Sequence, residues 1–360
     1  LLCLWDANLN RAREGIRVVE DLARFVFRDE KRALELKRLR HAITNAARSV
    51  APESEAVLAR AIGKDVGARH SSKSEGLRET ERALLEANFN RAAEALRCLE
   101  EAAKLCSAAA GEKFKALRFR LYAAEEKLVA RALRLERLRK FQDAALYVVL
   151  DSRQFRKGLG YERACRASLE GGARIVQLRD KLLKGRRLLA VAKTLSACCK
   201  KAGALFIVND RADLALACGA DGVHLGQEDL PILAVRRLLG PDKLIGKSTH
   251  SLSQARSAVK EGADYLSVGP VHATPSKPGA RAVGLKWVRQ VRAHFAVPFV
   301  AIGGLDASTV EPALAAGART VGVIRAVVAA KNPVKAARWL ARLVKKKRKK
   351  QKRGLSAFGQ

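Results

Sequence analysis

Methionine is absent from all 360 residues, position 1 included, so the natural start of the chain is expected upstream of Leu1. Aromatic residues make up only 5%, too few for the interleaved stacking groups of a single-stranded nucleic-acid surface. No apolar run approaches the roughly 20 residues that cross a bilayer. No charged-then-apolar leader opens the chain. Seven scattered cysteines (Cys3, Cys98, Cys106, Cys165, Cys198, Cys199 and Cys218) form no CxxC pair, which argues for a reducing, cytoplasmic location and against a zinc module.

What the chain has in excess is positive charge, a net +34. Residues 1–140 carry 30 basic against 21 acidic side chains, residues 141–344 carry 32 against 15, and residues 345–360 carry 8 against none. So diffuse a field favours anionic ligands in general, small phosphates included, and does not single out nucleic acid. The closing stretch, KKKRKKQKRGLSAFGQ, is of low complexity and is expected to be a disordered, solvated tail.

Residues 1–140 read as an all-helical domain built on a repeat. DANLNRAREGIRVVEDLARF from Asp6 returns as EANFNRAAEALRCLEEAAKL from Glu86, and Asn8, Asn10, Arg11, Glu14, Arg17 and Glu20 recur 80 residues on. A pseudo-symmetric helical bundle follows, with SSKSEG (71–76) as the loop between its halves. Asn10, Glu14, Arg17 and Asp21, like Asn90, Glu94, Arg97 and Glu101, share one helix face. A polar seam locking the two helices is favoured over a ligand site on the pseudo-twofold. No GxxxxGK[ST] occurs in this segment, which argues against a P-loop phosphotransferase.

From Leu146 the pattern changes to eight short apolar runs alternating with helical stretches: LYVVL (146–150), RIVQL (174–178), LFIV (205–208), GVHL (222–225), LIGKS (244–248), DYLSV (264–268), PFVAI (298–302) and TVGVI (320–324). Eight such units predict a (β/α)₈ TIM barrel over 141–344. Gly-Ala pairs before four of the strands fit tight helix-to-strand turns. Without a GxGxxG fingerprint, an open doubly wound sheet is disfavoured.

Chemistry in such barrels sits where the strands end. There the sequence gathers Gln177, Arg179 and Lys181 after the second run, Asn209 and Asp210 after the third, and Asp229 after the fourth. Ser248 ends the fifth, Thr274, Ser276 and Lys277 follow the sixth, Gly304 follows the seventh, and Ile324 and Arg325 end the eighth. Asp210 and Asp229 follow adjacent parallel strands, where paired carboxylates suit Mg²⁺; a helix cap and a solvated acid are the alternative. The Gly-Gly at 303–304 and the chain after the eighth strand mark a phosphate site made of backbone N–H groups. His224, His250 and His272 also fall near the rim; wall or supporting roles are favoured over a histidine metal centre.

QLRDK, VNDRADLALACGADGVHLGQED, GKSTH, GPVHATPSK and AIGG together resemble thiamine-phosphate synthase across residues 145–344. The resemblance implies that hydroxymethylpyrimidine diphosphate is joined to thiazole phosphate with release of diphosphate. It implies that Gln177 contacts the pyrimidine, with Ser248 beside it, and that Arg179, Lys181, Asn209 and Lys277 hold the diphosphate. Asp210 and Asp229 would bind Mg²⁺, and Thr274, Ser276, Gly304 and Ile324 would bound the thiazole phosphate. The family usually has Ser after the isoleucine, and this chain has Arg325. The helical segment resembles a domain fused to this synthase in some bacteria, which leaves pyrimidine phosphate phosphorylation, dimerisation and scaffolding open.

Two other readings are weaker. An isomerase or regulatory relative on the same barrel would not be expected to keep the diphosphate and metal set. A basic RNA-associated protein would need a concentrated charged stripe with aromatics. The residues leave homo-oligomerisation open.

Overall fold

The computed structural model describes residues 1–58, 77–277 and 279–356; SSKSEG lies outside them. Two compact units comprise Leu1–Leu133 and Arg134–Gln360. Among the described residues no helix is long and apolar enough to cross a membrane.

The first unit is helical: α1 (Leu2–Asp21), α2 (Glu30–Arg48), α3 (Glu53–Leu58), α4 (Glu81–Lys104) and most of α5 (Ala108–Asp143). The seam between the repeated helices α1 and α4 is apolar rather than polar. Gly15 packs so closely that a Cβ there would lie 2.8 Å from the Asn88 carbonyl, and Ala12, Ile16, Ala92 and Leu96 are all fully buried. Glu14 and Arg17 of the expected polar face are exposed. The polar pairing instead ties α1 to α2 and α4 to α5. Glu20 bridges Arg17 (3.2 Å) and Arg40 (3.1 Å), and Glu100 bridges Arg97 (2.7 Å) and Arg118 (2.9 Å). The repeat is therefore a helix pair, not a single helix.

In the second unit eight parallel strands close in sequence order into a barrel. They are β1 (Leu146–Leu150), β2 (Ile175–Leu178), β3 (Leu205–Asn209), β4 (Gly222–Leu225), β5 (Leu244–Thr249), β6 (Tyr265–Val268), β7 (Phe299–Ile302) and β8 (Thr320–Val323). Between them run α6 (Tyr161–Glu170), α7 (Gly185–Lys201), α8 (Ala212–Ala217), α9 (Ile232–Leu239), α10 (Leu252–Lys260), α11 (Gly284–His294) and α12 (Val310–Ala315), and α13 (Arg325–Val328) and α14 (Pro333–Ser356) follow β8. Helix-to-strand turns before β2, β4, β6 and β8 share one device. Gly172, Gly219, Gly262 and Gly317 take positive φ, and the alanine after each donates its N–H five residues back, as Ala220 does to Ala215 at 2.9 Å. This is a helix stop that a glycine adopts without the Cβ penalty.

The aspartates that close two of these turns cap a strand and hold α5. Asp221 accepts from the Phe206 N–H and from Arg137 (3.0 Å each). Asp264 accepts from the Ile245 N–H (2.8 Å), from Arg134 and from Arg236 (2.5 Å each). Arg134, Arg137 and Phe141 thus share a face of α5, and Phe141 fills the amino-terminal end of the barrel beneath Tyr147 and Tyr265.

The basic stretch at the end of the chain departs from the expected disordered tail. Helix α14 continues to Ser356. Arg348 donates to the Arg319, Asp143 and Ala144 carbonyls at 2.6, 3.0 and 2.7 Å. Lysine and arginine are good helix formers, and a guanidinium that satisfies three carbonyls anchors the turn that carries it.

Candidate active site

The carboxyl ends of the strands open on a cavity of about 960 Å³. All thirteen side or main chains singled out from the sequence line it: Gln177, Arg179, Lys181, Asn209, Asp210, Asp229, Ser248, Thr274, Ser276, Lys277, Gly304, Ile324 and Arg325.

On one side stand the cations and acids. Arg179 follows β2 and donates to Asp151, a fully buried carboxylate just after β1 that also takes two bonds from the Arg153 guanidinium (3.1 and 2.8 Å). Asp151 thereby fixes the guanidinium at the cavity wall. Lys181 is exposed to the opening. Asp210 sits in a tight turn with φ of +63°; its N–H donates to the His224 carbonyl (2.8 Å), and the Arg211 N–H reaches back to Asn209 (2.7 Å). Aspartate tolerates this left-handed geometry better than most residues, and strain of this kind tends to collect at functional sites. Asp229 folds back to accept from the Gly226 N–H at 2.6 Å.

Burial and the neighbouring Asp229 carboxylate push Asp210 up to about 6, against the opposing pull of Lys181 and Arg179. A carboxylate whose ionisation burial and a neighbouring carboxylate make costly, beside a cavity lined by both acids, fits a hard divalent cation that completes its shell with water and substrate oxygens.

On the facing side the loop after β6 brings Thr274, whose hydroxyl accepts from the Ser276 N–H at 3.3 Å, and then exposed Lys277. Gly303 and Gly304 follow β7 with φ of +97° and +63°. A Cβ on Gly304 would meet His272 at 2.6 Å and the Ala273 carbonyl at 2.9 Å, so only glycine lets the main chain approach so closely. Ile324 precedes α13, and Arg325 opens that short helix with its side chain exposed.

The floor holds residues that reading by strand ends passed over. Gln177 Nε2 donates to the Tyr147 hydroxyl (2.7 Å), which lies 3.2 Å from the Tyr265 hydroxyl. That group is 3.1 Å from His224 Nδ1, and His224 Nε2 is 3.0 Å from the Ser248 hydroxyl. Burial holds His224 down to about 4, so the ring is neutral, and burial raises both tyrosines well above their ordinary range. Period-two alternation would have placed Tyr147 on the face of Val149, but nothing local showed that its hydroxyl meets Gln177. The three histidines do not converge. His224 joins the floor, His250 Nδ1 bonds the Gly269 carbonyl, and among the described residues no three His, Cys, Asp or Glu side chains form a metal cluster.

Residues 146–327 match the family described as thiamine monophosphate synthase, and residues 3–127 match the ThiD2 family. The chain is 43% identical over 333 residues to the thiamine-phosphate synthase of Synechocystis sp., covering 92% of each. It is 43% identical over 337 residues to that of Thermosynechococcus vestitus, covering 94% of this chain and 93% of the other. Among solved structures, a thiamine phosphate pyrophosphorylase from Pyrococcus furiosus superposes with a TM-score of 0.53 at 37% identity, covering 57% of this chain and 98% of that one. With a rim that sets cations and paired acids across from the Gly303–Gly304 turn, and relatives matched across nearly the whole length, this chain belongs to the thiamine-phosphate synthase family.

Proposed function

We propose that this cavity joins hydroxymethylpyrimidine diphosphate to thiazole phosphate, giving thiamine phosphate and diphosphate. The observation that carries the assignment is the convergence of all thirteen residues on one cavity, with two anion-holding rims facing each other. Arg179, Lys181, Asn209 and Lys277 hold the diphosphate, Gln177 and Ser248 face the pyrimidine, and Thr274, Ser276, Gly304, Ile324 and Arg325 receive the thiazole phosphate.

The C–O bond between the pyrimidine methylene and the diphosphate breaks, and its electron pair leaves with the diphosphate. The aminopyrimidine ring spreads the resulting positive charge, and the thiazole nitrogen then closes the C–N bond with its lone pair. No protein nucleophile is required. The cations of the first rim are already in place where negative charge grows, so little reorganisation accompanies the step. Asp210 and Asp229 would hold Mg²⁺, which when bound neutralises diphosphate oxygens. Facing the rims across one cavity sets the thiazole nitrogen against the methylene carbon and lowers the entropic part of the barrier.

The test is direct: purified protein with both substrates and Mg²⁺ is expected to form thiamine phosphate and diphosphate in equal amounts. Absence of product from folded protein would overturn the assignment.

A further inference from the structure

We infer that Tyr147, Tyr265 and His224 form a buried relay that ties the hydrogen-bonding polarity of Gln177 to that of Ser248, and so selects an aminopyrimidine over a pyrimidinone. The inference rests on the placement of the pyrimidine between those two residues.

Five groups stand in unbroken contact: Gln177 Nε2 to Tyr147 Oη (2.7 Å), Tyr147 Oη to Tyr265 Oη (3.2 Å), Tyr265 Oη to His224 Nδ1 (3.1 Å) and His224 Nε2 to Ser248 Oγ (3.0 Å). An amide nitrogen only donates, so Tyr147 accepts from Gln177. Each phenol has a single proton, so Tyr147 donates to Tyr265, and Tyr265 donates to His224 Nδ1. A neutral imidazole that accepts at Nδ1 carries its proton on Nε2 and donates it to Ser248. The Ser248 hydroxyl proton is then released to the cavity. At the other end the amide nitrogen is engaged, which leaves Gln177 Oε1 as the acceptor toward the cavity.

Turning the Gln177 amide reverses every bond, so that an N–H faces the cavity at Gln177 and a bare oxygen at Ser248. Only these two arrangements satisfy every buried group, and leaving one unpaired inside the barrel is costly. The first complements an exocyclic amine beside a ring nitrogen, which donates to Gln177 and accepts from Ser248. A pyrimidinone, with C=O beside N–H, matches the second. In the first arrangement a carbonyl oxygen also meets the amine as it acquires positive charge during diphosphate departure.

The backbone is built to permit the relay. His224, Gly246 and Tyr265 occupy one register level of β4, β5 and β6. A Cβ on Gly246 would lie 2.1 Å from the Tyr265 ring and 2.5 Å from its hydroxyl. Glycine at that level lets Tyr265 lie across β5 and reach His224, and Phe141 packs beneath the ring with centroids 4.3 Å apart. Tyr265 stands behind the cavity lining, which Tyr147 and His224 reach; all three act here through Gln177 and Ser248, as positioning residues.

Two measurements test this. In the substrate-free full chain, ¹⁵N shifts of His224, assigned by comparison with His224→Gln, are expected to show Nε2 protonated and Nδ1 bare; the opposite tautomer overturns the polarity. In Tyr265→Phe, which keeps the ring and removes the link, kcat/KM for the aminopyrimidine diphosphate is expected to fall by about 10- to 100-fold. Its preference over the 4-oxo analogue should shrink by a similar factor, with the thiazole phosphate KM little changed and the melting temperature lowered by the buried bonds lost. A merely structural loss would slow both pyrimidines equally, so an unchanged preference overturns the relay. If wild-type protein couples neither substrate, the functional reading fails, and the tautomer measurement still decides the relay.

Discussion

Asp151, fully buried at the end of β1, accepts from the guanidinium of Arg179 across the first two strands of the barrel. Burial alone would raise its pKa, but Arg153 and Arg179 outweigh that and hold the carboxyl below its ordinary value. A carboxyl depressed in the folded state adds stability above its unfolded pKa and loses it as pH falls through the folded value. Asp151→Asn is therefore expected to lower stability at neutral pH, and the gap from wild type should close below about pH 4, where the unfolded carboxyl takes up its proton. Urea melts across that range check it; a gap independent of pH would contradict the charge pairing.

Asp210→Asn and Asp229→Asn are each expected to cut turnover roughly a hundredfold and to weaken its dependence on Mg²⁺, with melting behaviour near wild type. Chelation should abolish product formation and added Mg²⁺ restore it. Near-normal Mg²⁺ titrations in both variants would remove the metal assignment.

Arg325 stands at the head of α13, where the cavity meets the chain after β8. A charge-assisted contact there contributes about 1.5–3 kcal/mol. Arg325→Ala is expected to raise the KM for thiazole phosphate by about one to two orders of magnitude and to leave that for the pyrimidine diphosphate nearly unchanged. Arg325→Ser should recover much of the loss through its hydroxyl. Steady-state kinetics decide it, and an unmoved thiazole phosphate KM in the alanine variant rejects the contact.

The last helix before the barrel carries Arg134, Arg137 and Phe141, so where the chain is cut matters. A chain beginning at Arg134 is expected to fold and couple the substrates, because every residue assigned to the cavity lies beyond that point. Arg134→Ala in the full chain should cost about 3 kcal/mol, since it removes one of two cations from the buried Asp264 carboxylate. Chemical denaturation measures the second, and product formation the first. A folded but inactive shorter chain would show that the helical unit completes the activity.

The barrel was legible in the sequence because its signals are local. Eight apolar runs of four or five residues, glycine-alanine stops before four of them and polar residues at strand ends follow from backbone conformation and alternation. They located the strands to within a residue or two and assembled the thirteen cavity residues, since parallel strands must end on one side. The helical repeat was visible in α1 and α4 because Asn8, Asn10, Arg11, Glu14, Arg17 and Glu20 recur 80 residues on, but its polar seam was misplaced. Helical spacing says which side chains share a face, not which face is covered.

Other features needed the closed barrel. Arg134 meets Asp264 and Arg137 meets Asp221 across 130 and 84 residues, and Arg348 finds carbonyls just before the barrel's first and last strands. Tyr147, Tyr265 and His224 join Gln177 to Ser248 only because closure brings β1, β4 and β6 around a common interior. Alternation determines that each side chain points inward; the register and tilt of eight strands together determine which inward-pointing groups come within hydrogen-bonding distance, and that is a property of the whole sheet rather than of any one strand.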